Sequence, residues 1–153
     1  MENFVQKTWM PLSLLAICLA LFSFSSRWGG EGFEIYLNNK LVMQQFGSQM
    51  TNARSLQLDQ RFANEELTVK YYHCGQAGKN RHITIKDAQN RILKDWNFTD
   101  GNKAGMNCPI NEILVLQKRE SSNSLELYYS STELPKGRLL FTILSANANQ
   151  TKP

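Results

Sequence analysis

The ten residues from His73 to His82 gather two imidazoles, a thiol, two glycines and the basic Lys79 and Arg81. A phosphate-binding loop would need four residues between its glycines, a Lys followed by Ser or Thr, and a helix to open. Here Gly75 and Gly78 enclose only two residues, Lys79 precedes Asn80, and both flanks alternate like strands. The segment therefore reads as a hairpin loop. A zinc site would have to enlist His73, Cys74, His82 and Cys108, whose spacing fits no zinc pattern, so neither a metal nor a cofactor is expected.

Cys74 and Cys108 are the two cysteines left once Cys18, in the apolar N-terminal segment, is set aside. In an oxidising compartment such a pair reads as a disulfide. Closing the 34 positions between them would contribute about 3–4 kcal/mol in the chain-entropy picture.

A binding surface is the more promising chemistry. If the runs from Leu67 to Cys74 and from Arg81 to Asp87 are neighbouring strands, Leu67, Val69 and Tyr71 share a buried face with Ile83 and Ile85, pairing Tyr71 with Ile83. Tyr72, His82, Lys70 and Thr84 then face the other way, and His73 faces the core. The turn at Asp87-Ala88-Gln89-Asn90 decides the fate of Trp96. A three-residue loop with Asn90 left-handed pairs Ile85 with Leu93 and places Trp96 opposite His82. Tyr72, His82 and Trp96, with Lys70 and Lys94, would then form an aromatic and basic platform able to stack on sugar rings. A two- or four-residue loop shifts the register by one and turns Trp96 and Phe98 inward. The apolar count favours this second register, because Ile92, Trp96 and Phe98 share one face and only Leu93 lies on the other.

Catalytic signatures are absent. Glu65, Glu66 and Asp95 offer no pair of carboxylates at a spacing the sequence determines, and no serine sits in a Gly-x-Ser-x-Gly elbow. Asn97-Phe98-Thr99 and Asn149-Gln150-Thr151 match the N-glycosylation sequon.

The elements that must position these residues follow a period of two from Phe33 onward. Phe33, Ile35 and Leu37 alternate with polar neighbours, Asn38-Asn39 makes a hairpin turn, and Leu41-Val42-Met43 begins the return. Further strands are expected at Ser55 to Leu58, Leu67 to Cys74, Arg81 to Asp87, Arg91 to Phe98, Glu112 to Lys118, Ser124 to Ser130 and Arg138 to Ser145. The fold expected is an all-β antiparallel β-sandwich of eight or nine strands, Ig-like or jelly-roll-like. No helix is required, although the connections 59–66 and 99–110 have room for a single helical turn.

The chain has 153 residues, 42% hydrophobic and 20% charged, with a formal charge of +4, which suits one folded domain and excludes a disordered chain. Its basic residues are scattered, so no nucleic-acid footprint is expected. Residues 9–24 form an apolar run ending in Ser23-Phe24-Ser25, small residues placed as at a signal cleavage site. Residues 1–25 read as a cleaved secretory signal, or, if uncut, as a membrane anchor slightly shorter than a usual span. Residues 26–145 would then be the sandwich domain and 146–153 a frayed tail. These features imply an exported, periplasmic or secreted, non-catalytic protein that binds or scaffolds a partner. The alternatives are a carbohydrate- or envelope-binding module acting through the aromatic-basic face, and a membrane-tethered assembly subunit acting through a protein partner. A hydrolase comes after these, since loops far apart in sequence can assemble carboxylates in a cleft.

Overall fold

The computed structural model describes residues 30–52, 54–98, 105–120 and 124–145. The segment expected to be a signal or anchor, the expected C-terminal tail and both sequon threonines lie outside the described residues.

Nine strands and one α-helix are present among the described residues: β1 (Gly32–Leu37), β2 (Lys40–Phe46), β3 (Ser55–Leu58), β4 (Glu66–Tyr72), β5 (Arg81–Lys86), β6 (Ile92–Phe98), β7 (Met106–Pro109), α1 (Ile110–Arg119), β8 (Ser124–Ser130) and β9 (Arg138–Ser145). They form two sheets, ordered β2-β1-β4-β7 and β3-β9-β8-β5-β6. The fold is thus mostly β. Alternation explains it: Phe33 and Ile35, Leu67 and Val69, Ile83 and Ile85, and Leu125, Leu127 and Tyr129 are wholly buried at every second position. These stripes from both sheets enter one hydrophobic cluster, and the Tyr71 ring of β4 stacks on Tyr129 of β8 with centroids 4.0 Å apart. The β1–β2 hairpin turns at Asn38 (φ 48°) and Asn39 (φ 60°), the left-handed pair that a two-residue loop demands.

Four expectations are corrected. The first concerns Glu112 to Lys118, which is helical within α1 and not a strand. Ile110, Ile113, Leu114 and Gln117 recur at three- and four-residue intervals and bury one stripe, while Val115 is 61% exposed. Glu112 in the first turn and Lys118 and Arg119 in the last also suit the helix dipole. The run Ile113 to Leu116 is too short to separate helix from strand by periodicity alone. The helix leads from β7 in the first sheet to β8 in the second, and the Lys94–Glu112 (2.7 Å) and Arg91–Glu120 (3.2 Å) ion pairs hold it to the β5–β6 hairpin and its turn.

Secondly, β4 and β5 are not neighbours. β4 pairs with β1 and β7, and β5 pairs with β8 and β6. His73 and Gln76 close a tight local turn with Cys74 (φ 51°) and Gly75 (φ 84°), and the chain then passes to the other sheet. The inward faces of the two strands agree with the alternation, but they belong to different sheets. Thirdly, not every pair is antiparallel: β3 runs parallel to β9, Ser55 opposite Thr142.

The fourth correction is the disulfide: Cys74 and Cys108 are both free thiols. Cys108 lies opposite Leu67 at the start of β4, whereas Cys74 follows the end of that strand. Seven residues of near-extended chain separate these points, on the order of 20 Å, and a disulfide needs Cα atoms within about 7 Å. Burial pushes the Cys108 thiol well above its ordinary range, so it is inert as a nucleophile. A reducing agent should therefore leave the urea midpoint unchanged. A loss near the 3 kcal/mol such a link would contribute would restore the disulfide.

The β5–β6 hairpin combines features of both expected registers. Asn90 is left-handed (φ 63°), and the Asp87 amide donates to the Arg91 carbonyl (3.1 Å), as in the three-residue loop. A bulge then leaves Leu93 between the pairs Lys86–Ile92 and Ile85–Lys94, so Trp96 faces Ile83 and not His82. Leu93, Trp96 and Phe98 consequently pack against the core, and Ile92 is 65% exposed. The turn carboxylate Asp87 is itself buried. Burial pushes its pKa up, but the Arg91 amide and guanidinium and the Gln89 amide outweigh this and hold it below the usual carboxylate range. Its contribution is present above the unfolded-state pKa near 4 and is lost as pH falls through the lower native pKa. Asp87→Asn should lower stability at neutral pH and flatten the acid limb of a stability–pH curve; an unchanged acid limb would refute this role.

Candidate functional site

The structure divides the five expected binding residues among three surfaces. Lys70 and Tyr72 stand on the outer face of the first sheet, and His82 stands on the outer face of the second. Lys94 and Trp96 point inward along β6, where the Lys94 Nζ sits 5.5 Å from the Trp96 ring centroid and pairs with Glu112. The row Tyr72–His82–Trp96 is therefore not formed, because its first member lies in a different sheet and the bulge turns its last member inward.

The outer face of the first sheet assembles another aromatic and charged group. The pairings Phe46–Gly32–Tyr72, Gln44–Glu34–Lys70 and Leu41–Tyr36–Thr68 lay three rows across β2, β1 and β4. Gly32 is required in the first row, since a Cβ there would collide with the Phe46 ring and lie 2.9 Å from the Gln45 carbonyl oxygen. Without that Cβ, Phe46 lies across the strand and stacks near Tyr72, with centroids 6.3 Å apart and 25° between planes. The Tyr36 and Tyr72 hydroxyls both donate to Glu34 Oε2, at 2.8 and 2.9 Å. Burial, then the bond to Glu34, pushes the Tyr72 phenol up to about 12; the same carboxylate is the main cause of the raised Tyr36 value. Both rings therefore stay protonated and pinned to one acceptor. Lys70 Nζ lies 4.6 Å from the Tyr36 centroid, a cation–π contact.

At the β1–β2 turn this face opens into a hollow of about 510 Å³ bounded by Asn38, Asn39, Thr68, Lys70 and Asn107, with Glu65 and Glu66 in its wall. The Thr68 hydroxyl donates to Asn107 Oδ1 at 2.9 Å. Aromatic faces, hydrogen-bond donors and acceptors thus share one surface.

The outer face of the second sheet is built differently. His82 Nδ1 is 2.9 Å from Asp95 Oδ2, the Thr84 hydroxyl donates to Asp95 Oδ1 at 2.9 Å, and the Asn97 amide lies 3.4 Å from His82 Nε2. His82, Thr84 and Asp95 border a hollow of about 410 Å³ that Ser130 also lines. A carboxylate-held imidazole is general-base geometry. Ser130 is directly across the ladder from His82, but the imidazole leans toward β6, away from that hydroxyl.

A third polar cluster joins the two sheets. Tyr71 donates to Glu31 Oε1 (2.6 Å), Arg138 pairs with Glu31 Oε2 (2.9 Å), and His73 Nε2 bonds the Tyr129 hydroxyl (3.0 Å) and Ser131 Oγ (3.1 Å). Ser131 is 5% exposed and also lines the hollow beside His82, but its hydroxyl is held between His73 Nε2 and the Leu134 amide (3.2 Å), and the cluster acts as a clasp.

No family model matches this chain, and no curated protein or solved structure matches it significantly.

Sequence reasoning missed Glu34, Tyr36 and Phe46. Alternation with Phe33 and Ile35 is signal enough to turn Glu34 and Tyr36 outward. Nothing local reveals that β1 lies between β2 and β4, and that adjacency is what brings them to Tyr72 and Lys70.

Proposed function

We propose that this chain is an exported, non-catalytic binding module of sandwich architecture that holds a glycan against the outer face of its first sheet. The observation that carries the reading is the continuity of the Phe46–Tyr72 stack, the Glu34-pinned tyrosines and the polar hollow on one surface. A pyranose ring presents C–H groups whose slight positive charge suits the negative face of an aromatic ring, and its hydroxyls require donors and acceptors at the edge. Pinning both phenols on Glu34 lowers the ordering cost of binding. The sandwich arrangement is supported by the single core fed from both sheets and by the Tyr71–Tyr129 stack. Export is supported by residues 1–25, and retention of the apolar segment would make the same module membrane-tethered.

Titration of the purified chain against a glycan panel should give a binder. Phe46→Ala and Tyr72→Ala should each weaken it about tenfold, 1.4 kcal/mol, while Trp96→Ala, whose ring faces inward, should leave the affinity of the folded protein unchanged. A panel without a binder, or affinity insensitive to both face substitutions, would refute the reading.

A further inference from the structure

We infer that the ligand of this face is an extended oligosaccharide, a β-1,4-linked pyranose chain lying along β1 from the Phe46–Tyr72 stack into the hollow; the inference rests on the glycan reading above. The two ends of the surface are chemically different and far apart. Phe46 and Tyr72 flank Gly32 at the start of β1, and the hollow runs from Lys70, which lies opposite Glu34 one row further on, to Asn38 and Asn39 beyond the end of the strand. Six residues of strand lie between Gly32 and its far wall, roughly 20 Å at the usual rise. A single sugar covers only part of that length. A β-1,4-linked chain of equatorially joined pyranoses is a flat ribbon, matching a face three strands wide along β1.

The hollow suits hydroxyls. Each asparagine amide carries both donors and an acceptor, the Thr68 oxygen keeps acceptor capacity while its proton is given to Asn107, and Lys70 adds a charged donor. Glu65 and Glu66 in the wall add carboxylate acceptors. An anionic lipid surface would meet Glu65 and Glu66 at this place, and a peptide strand would add to a sheet edge, not to a face.

The test titrates the full chain by calorimetry with glucose and N-acetylglucosamine β-1,4-oligomers from one to six units. Affinity should rise at least tenfold from the disaccharide to the hexasaccharide for one series. Asn107→Ala and Phe46→Ala, each with an unchanged circular dichroism spectrum, should both weaken the hexasaccharide at least fivefold. Affinity independent of length, or an Asn107→Ala variant that binds the hexasaccharide normally, overturns the extended ligand while leaving the glycan reading intact. If neither series binds, the extended β-1,4 chain is overturned, and the wider panel decides the parent reading separately: a binder there preserves it, and none removes it.

Discussion

Tyr129→Ala should destabilise the protein by about 3–5 kcal/mol, the range for removing a large buried aromatic side chain. Tyr129 is wholly buried, stacks on Tyr71 of the opposite sheet at 4.0 Å, and bonds His73 through its hydroxyl. Truncation empties the place where the two sheets touch through aromatic rings and leaves Tyr71 without its partner. A typical domain has about 5–15 kcal/mol in total, so the variant should lose much of its margin. Tyr129→Phe keeps the stack and removes one bond, and should cost only about 1 kcal/mol. Urea denaturation of both variants separates packing from hydrogen bonding. Equal losses would show that the hydroxyl, not the ring, holds the sheets together.

Gly78→Ala should cost about 1–3 kcal/mol, as overpacking does. Its requirement is space, not a left-handed backbone. A Cβ at this position would press on the Tyr129 hydroxyl and lie 2.9 Å from both His73 Nε2 and Glu133 Oε2. Glu133 has little freedom to retreat, because its Oε2 accepts from the Lys79 amide at 3.0 Å, the main cause of its lowered pKa. The tightest of these contacts is with the hydroxyl, so adding Tyr129→Phe should relieve part of the loss. The two substitutions together should destabilise by less than their sum. Strict additivity in a double-mutant cycle would dismiss the collision as the cause.

The same clasp marks where local reading stops. Alternation alone points His73 toward the core, and it does face the other sheet. Its partners, Tyr129 and Ser131, are 56 and 58 residues further along, beyond any local pattern. The missed helix α1 is a different case. Ile110, Ile113, Leu114 and Gln117 carry a helical period, but the consecutive apolar run within it imitates a buried strand. In β6, the apolar count favours an inward Trp96, and the ring does face inward. The bulge at Leu93 produced it by another route, exposing Ile92 and burying Leu93 in part.

The sequence by itself determined which side chains point inward in the regularly alternating strands β1, β4, β5 and β8, the left-handed Asn38–Asn39 turn and the predominance of strands. These are properties of neighbouring residues: side chains alternate at every second position, and a two-residue hairpin admits few residue types. Only the tertiary structure decided which strands lie side by side. Alternation is the same whichever neighbour a strand has, and the choice depends on burying all the apolar stripes together. That choice separated Cys74 from Cys108 and Tyr72 from His82, and it set β1 between β2 and β4. The aromatic face of Phe46, Tyr36 and Tyr72 exists because of that last adjacency.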